Sequence, residues 1–173
     1  TYSHRVDSTS GGPLTMGVMR FIYHDWDRIT DEFLSELYIA GIEGVPWRCY
    51  AEISDDGFDV RRRVDDSGSL YVMWKMADGG EMLLSTATLM VREQPYVLAV
   101  EIARGTLNRL RNQTAVWQHA GLQIGPEITE QINAAAAAFA AAATQQHDLE
   151  AATDAAQTCI TAALQGCDML AEK

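Results

Sequence analysis

The chain has 173 residues, 47% of them hydrophobic, and a formal net charge of −11 at pH 7. This length suffices for one domain, or a small domain with an appendage, around a sizeable core. Because an acidic surface repels phosphate groups, we expect neither nucleic acid nor an anionic membrane as a partner. No apolar run approaches the ~20 residues that cross a bilayer.

Residues 1–15, "TYSHRVDSTSGGPLT", are polar and rich in glycine and serine, without hydrophobic periodicity. Such composition is typical of a flexible tail or an upstream extension. The sequence begins at Thr1, and Met16 is a candidate native start.

Residues 16–92 are predicted to form a β-rich module. Short runs of β-branched and aromatic residues, such as "PWRCYAEI" and "LYVMWKM", alternate with turn sequences such as "SDDG" and "ADGG". Strands at such close intervals indicate antiparallel pairing. We therefore expect about five strands in a small antiparallel sheet, folded over as a sandwich or half-barrel.

The segment "RITDEFLSELYIAGI" interrupts this module and is predicted to be a short helix or an ordered loop. Thr30 is placed to cap its start, since a threonine hydroxyl accepts a hydrogen bond from the first turn. Phe33, Leu34 and Leu37 would share one apolar face.

Residues 93–173 are predicted to form a long antiparallel α-hairpin, which makes the fold class α+β. The hydrophobic period changes near Pro95, and Gly121 is expected to close the first arm. The same four-and-three alternation then runs unbroken through residues 127–172, which favours one long helix, although "TQQHD" leaves room for a bend. This second arm would be longer than the first, and no helix-terminating residue follows it. We therefore expect the second arm to lead into further sequence.

Four polar residues of the first arm, Glu101, Arg104, Asn108 and Arg111, fall on one side of the predicted helix. They are either a polar network that fastens the helix to the sheet or a groove that faces a ligand. Glu101 and Arg104 are spaced to form a partly buried ion pair. Gly105 predicts the close approach of another backbone.

A second candidate site lies in the aromatic residues of the β-rich half. Trp and Tyr rings stack on the apolar faces of sugars, and arginines donate hydrogen bonds to sugar hydroxyls. The alternative is that most of these rings are core residues. The aromatic candidates are Tyr23, Trp26, Trp47, Tyr50, Tyr71 and Trp74. Of these, Trp47, Tyr71 and Trp74 are predicted to bind the ligand. Arg61 and Arg63, from the run Arg61–Arg62–Arg63, are predicted to bind it with them.

The sequence predicts no catalytic residue, no metal ligand and no cofactor. The acidic turns lack calcium-ligand spacing, and the four histidines pair with no cysteine or carboxylate at ligand spacing. The sequence contains no phosphate-binding loop motif, no glycine-rich dinucleotide-binding motif and no nucleophile-elbow motif of the α/β-hydrolases. The cysteines Cys49, Cys159 and Cys167 are too few for a disulfide framework, and we expect them reduced and mostly buried. Localisation stays open, although reduced cysteines and the lack of a visible signal peptide favour the cytoplasm.

Several stretches carry a family resemblance, including "GVMRFIYH", "GIEGVPWRCYAEI", "RRRVDDSGSLYVMW" and above all "LAVEIARGTLNRLRNQ". Over residues 16–120 the chain resembles the N-terminal region of large planctomycete proteins identified as family-10 glycoside hydrolases, which are endo-xylanase-like. In that family a (β/α)8 barrel follows and supplies two catalytic glutamates. A barrel needs about 250 residues. The resemblance therefore implies the non-catalytic front of such an enzyme, and no catalytic residue transfers to Glu93 or Glu101.

Two functional hypotheses follow. The first is an accessory module, binding an oligosaccharide or polysaccharide, that precedes the catalytic barrel of the same polypeptide. The alternative is a structural or oligomerisation module whose heptad-patterned hairpin pairs with another copy of the chain. A self-contained enzyme is not expected, because no nucleophile with its base is visible.

Overall fold

A computed structural model of the chain describes residues 17–76 and 78–173. The tail predicted for residues 1–15 lies outside the described residues. The strands in the described part are β1 (Gly17–Ile22), β2 (Tyr38–Ala40), β3 (Pro46–Trp47), β4 (Cys49–Ser54), β5 (Gly57–Arg62), β6 (Ser69–Lys75), β7 (Glu81–Ser85) and β8 (Tyr96–Val97). The helices are a 3₁₀ turn at Trp26–Arg28, α1 (Asp31–Glu36), α2 (Leu98–His119), α3 (Pro126–Thr144) and α4 (Leu149–Ala171).

The first sheet has the strand order β4-β5-β1-β8. The first three strands pair antiparallel, whereas β8 runs parallel to β1. Phe21 lies opposite Phe58, and their rings stack with centroids 5.2 Å apart. Because side chains alternate along a strand, Met19 and Val60 share this face, and all four residues are buried. This row is the contribution of the first sheet to the core.

The second sheet has the order β3-β2-β6-β7, and its neighbouring strands are antiparallel. In β6, Leu70, Val72 and Trp74 are buried, while Tyr71 and Met73 are only half-buried. The run "LYVMWKM" therefore supplies most of β6, as predicted, with one face of the strand in the core. The buried residues of both sheets belong to one hydrophobic cluster.

The predicted number of about five strands in residues 16–92 is too low, because the described residues of that range contain seven, and β8 follows at Tyr96–Val97. Three of these strands, β2, β3 and β8, have only two or three residues, too few to give a period of two. The segment predicted as one helix or loop divides into α1 and β2. Its predicted cap is confirmed, since Thr30 Oγ1 accepts a hydrogen bond from the Phe33 amide at 3.2 Å.

Helix α2 corresponds to the predicted first arm. Its first six residues, 98–103, are all buried, so this end is enclosed on every side. A Cβ added to Gly105 would lie 2.0 Å from the backbone oxygen of Ser85, which confirms the expected close approach of another backbone. Gly121 follows the helix with φ of +101°, a left-handed conformation that glycine adopts without strain.

The favoured single helix over residues 127–172 is wrong, because the chain forms two helices, and the break falls in "TQQHD", the segment that left room for a bend. Helix α3 ends at Thr144 and α4 begins at Leu149. Asp148 caps α4 by accepting a hydrogen bond from the Ala151 amide at 3.1 Å. A side chain that satisfies a free amide of the first turn favours a new helix start over continuation of the old one. Helices α2, α3 and α4 therefore pack as a three-helix unit, not a hairpin.

The predicted heptad seam is largely buried within the chain itself. Helices α3 and α4 each pack on the other and on α2. Fully buried seam residues include Ile128, Ala135, Ala142, Ala156, Ile160 and Ala163. These six residues are occupied within the chain and are not exposed for pairing with a second chain, and the homo-oligomer stays a prediction.

The cysteines are free thiols, as predicted. Cys159 and Cys167 both lie on α4, and Cys159 is fully buried, with its sulfur 3.8 Å from the backbone oxygen of Ala103. Burial raises the pKa of Cys159 to about 11, so this thiol stays protonated at neutral pH. Cys49 and Cys167 are half-buried.

The α+β class is confirmed: two small, mainly antiparallel sheets precede three long helices. The predicted boundary at residues 92 and 93 falls before β8, which pairs with β1 of the first sheet. No helix of the described ranges is long and apolar enough to cross a membrane.

Candidate functional site

Three of the predicted ligand-binding residues, Trp47, Arg61 and Arg63, line one open groove of about 630 Å³. We call it the arginine groove. It receives side chains from β3 of the second sheet and from β4 and β5 of the first. The remaining lining residues are Arg48, Cys49, Tyr50, Arg62, Val64 and Asp66.

The groove forms where the chain crosses from one sheet to the other. Strand β3 ends at Trp47 and β4 begins at Cys49, so Arg48 occupies the crossing. In the β4–β5 register, Tyr50 lies opposite Arg61 and Cys49 lies opposite Arg62. Because side chains alternate, the first pair lies on one face of the sheet and the second pair on the other. The groove therefore takes residues from both faces at the strand ends.

Arg62 is the most unusual of these residues. It continues the inward row of Phe58 and Val60 on β5, and it is only 3% exposed. Its Nη2 donates to the backbone oxygen of Asp66. Its Nε and Nη1 are out of contact with solvent and have no acceptor among the described residues. A buried guanidinium with unmet donors is costly unless something satisfies them.

Trp47 forms a wall beside this cation. The Arg62 Cζ lies 5.0 Å from the centroid of the Trp47 ring, within the range of a cation–π contact. Gly41 makes room for the ring, since a Cβ there would lie 2.5 Å from its Cζ2 atom. Burial lowers the pKa of Arg62, and the nearby carboxylates of Asp66 and Asp65 partly oppose this. An arginine nevertheless stays charged in a protein.

The other three arginines of the groove differ in whether a carboxylate neutralises their charge. Arg61 is ion-paired with Glu52 and lies 3.7 Å from a carboxylate oxygen of Asp59. Arg48 and Arg63 are exposed, and no ion pair joins either of them to a described carboxylate. The groove therefore holds two accessible cations beside the buried one.

Two aromatic rings accompany these cations. Tyr50 is 65% exposed, and Trp47 is half-buried. An exposed ring beside several N–H donors provides an apolar surface with hydrogen-bonding groups at its edge. This combination matches a ring-shaped polar ligand, such as a sugar, and fits poorly with a purely apolar one.

The predicted aromatic residues of β6 lie apart from the lining of the groove. Tyr71 is half-buried and stacks on Tyr38 of β2, with centroids 4.7 Å apart and planes 5° from parallel. Trp74 is 3% exposed, and its Nε1 donates to Gln157 Oε1 on α4 at 3.0 Å. The Trp74 ring is packed mostly inside the core and lies outside the lining of the arginine groove, so ligand binding by Trp74 stays a prediction.

The polar stripe of α2 also lies outside the groove lining. The predicted ion pair is confirmed: Arg104 Nη2 donates to Glu101 Oε1 at 2.7 Å, and Glu101 is 2% exposed. Burial raises the pKa of Glu101, while Arg104 and Arg92 oppose this. Asn108 and Arg111 are exposed further along the helix. At its buried end, then, the stripe is an internal ion pair.

Arg48 was not among the predicted site residues, and Arg62 was not selected from its run of arginines. The sequence "FDVRR" does indicate the burial of Arg62, because alternation along a strand places Arg62 on the same face as Phe58 and Val60. A charged residue at the end of an inward row indicates a buried charge. For Arg48 no such signal exists, because its place depends on the crossing between two sheets.

Within residues 17–76 and 78–173, no three His, Cys, Asp or Glu side chains are grouped closely enough to hold a metal ion. No protein-family model, curated protein or solved structure matches this chain.

Proposed function

We propose that this chain is a non-catalytic accessory module that binds carbohydrate in the arginine groove. The observation that carries the proposal is the placement of the exposed Tyr50 ring and the Trp47 ring among arginine N–H donors. Sugar rings stack their C–H faces on aromatic side chains, and their hydroxyls accept hydrogen bonds from guanidinium groups.

The parent enzyme in this proposal is a xylanase-like glycoside hydrolase. Support comes from the resemblance over residues 16–120, which is strongest in "LAVEIARGTLNRLRNQ". That block forms most of α2, so it contributes to the packed scaffold and not to the groove. In such an enzyme the catalytic barrel would belong to the same polypeptide, and the module would hold the polysaccharide near it.

Titration with a neutral xylo-oligosaccharide, such as xylotetraose, tests the proposal. We expect heat in calorimetry, and shifts of the amide signals of β4 and β5 in NMR spectra, at ligand concentrations up to the millimolar range. Absence of both signals would count against carbohydrate binding. Shifts confined to α2 would place the ligand on the polar stripe and would contradict the groove.

The variant Tyr50→Ala sharpens the test. Loss of one aromatic contact is expected to weaken binding by about 1 kcal/mol, close to a fivefold loss of affinity. Val116→Ala is the matched control, because Val116 is 64% exposed and lies on α2 outside the groove lining. Equal affinities for the two variants would show that Tyr50 does not contact the sugar.

A further inference from the structure

We infer that the arginine groove recognises an acidic oligosaccharide, with the carboxylate of a uronic acid residue held by its arginines. This inference rests on the proposed carbohydrate binding and specifies the class of sugar. It starts from the local charge. The lining contains four arginines and one acidic residue, Asp66, in a chain whose net charge is −11.

The buried charge of Arg62 is the first argument. Its Nε and Nη1 have neither solvent nor an acceptor among the described residues. The only hydrogen bond described for its side chain goes to a neutral backbone oxygen, that of Asp66. The carboxylates of Asp66 and Asp65 lie near Arg62 but form no ion pair with it. An anion in the groove would add opposite charge, and such compensation strengthens in a region of low dielectric constant.

The second argument is the arrangement of the exposed cations. Arg48 and Arg63 stand in the same lining as Arg62, and they form no ion pair with described carboxylates. Arg61 is already paired with Glu52. The guanidinium fork matches the two oxygens of a carboxylate, which makes arginine the side chain best suited to this anion.

The third argument limits the anion to one that is attached to a sugar ring. A free carboxylate would make no use of Trp47 and Tyr50, the two rings that accompany the arginines. A uronic acid residue carries its carboxylate directly on a pyranose ring. The ring face can then stack on an aromatic side chain while the carboxylate accepts hydrogen bonds from arginine.

A matched pair of ligands tests this inference: trigalacturonic acid and its fully methyl-esterified form. At neutral pH the acid is ionised, whereas the ester has similar rings without the charge. We expect the acid to bind at least about tenfold more tightly, since hydrogen bonds to charged groups are the stronger kind. Added sodium chloride should weaken binding of the acid and leave the ester unaffected.

The outcomes separate the inference from the proposed function. Equal affinity for the acid, the ester and xylotetraose would overturn the inference and support a neutral-sugar module. Binding of the acid alone would support the inference and overturn the preference for xylan. No binding of any of the three would overturn both.

Variants at the exposed arginines avoid disturbing the core. Arg63→Gln is expected to lower affinity for the acid several-fold and to leave the ester unchanged. Arg109→Gln is the matched control, because it removes the same charge from an exposed position on α2. Equal losses for Arg63→Gln and Arg109→Gln would reduce the effect to net charge and overturn the inference.

Discussion

At the scale of single residues, three charged side chains of the described part are buried, Asp59, Arg62 and Glu101, and the last two have opposite sign and differ in how they are paired. Glu101 is 2% exposed and Arg62 is 3% exposed. Glu101 is paired with Arg104 at 2.7 Å, so its charge is balanced within one helix. Arg62 has no such partner among the described residues and lines a groove. Burying an unpaired charge is far costlier than burying a pair, so Arg62 is the buried charge for which the proposed acidic sugar would provide a partner.

The raised pKa of Glu101 predicts a pH-dependent stability. Because burial makes the folded state bind this proton more tightly than the unfolded chain does, its contribution favours folding below the unfolded pKa of about 4.3. That contribution is lost as the pH rises through the folded pKa. Glu101→Gln removes this titratable group. The free energy of unfolding of the variant, relative to that of the parent chain, should therefore rise as the pH increases from the unfolded to the folded pKa of Glu101, and it should stay constant above the folded pKa.

Urea denaturation at a series of pH values measures this difference. Glu150→Gln serves as the control, since Glu150 lies exposed in the first turn of α4 and should show no such rise. A difference between Glu101→Gln and the parent that stays constant with pH would show that Glu101 keeps an ordinary pKa.

At the scale of elements, the sequence predicted those parts whose periodicity is long. Strand β6 and the first helical arm, α2, were predictable because each pattern spans at least six residues. The apolar phase continues on both sides of the break between α3 and α4, so the hydrophobic pattern favoured one helix, and only the polar segment "TQQHD" left room for a bend. Asp148 is the local signal for the new helix start, and an exposed N-cap does not disturb the hydrophobic pattern.

The contact between α2 and the strand β7 gives a prediction for Gly105. Alanine there would gain about 1 kcal/mol in helix propensity. Its Cβ would however meet the Ser85 backbone oxygen at 2.0 Å, and a backbone cannot yield without moving the sheet. Overpacking of this kind outweighs the propensity gain. We expect Gly105→Ala to lower the free energy of unfolding by about 2 kcal/mol or more, measured by urea denaturation.

Gly166→Ala is the matched comparison, since it makes the same change inside another helix, at a buried position of α4. There the added Cβ would lie 2.8 Å from Leu110 Cδ2, the end of a flexible side chain that can rotate away. We expect a change within about 1 kcal/mol. Equal losses at the two positions would contradict the distinction between a backbone and a side-chain neighbour.

At the scale of the whole molecule, the candidate site depends on contacts that no local pattern specifies. Trp47 belongs to a strand of two residues that pairs with β2 in the second sheet. Arg62 belongs to the first sheet. Their meeting requires both sheets to be assembled around one core. The residue types of the site were therefore predictable from the sequence. The groove itself was not, because no local pattern shows that Trp47, Arg61 and Arg63 lie together while Trp74 lies elsewhere.

The shared core also predicts that the sheets and the helices unfold together. Trp74 of β6 is hydrogen-bonded to Gln157 of α4, and one hydrophobic cluster includes residues of both sheets and of α2, α3 and α4. A core common to two parts couples their stabilities. Urea curves followed by far-ultraviolet circular dichroism, which reports mainly on helices, and by tryptophan fluorescence should therefore coincide, and Gly105→Ala should shift both midpoints equally. Separate transitions would instead make residues 16–92 and 93–173 independent folding units.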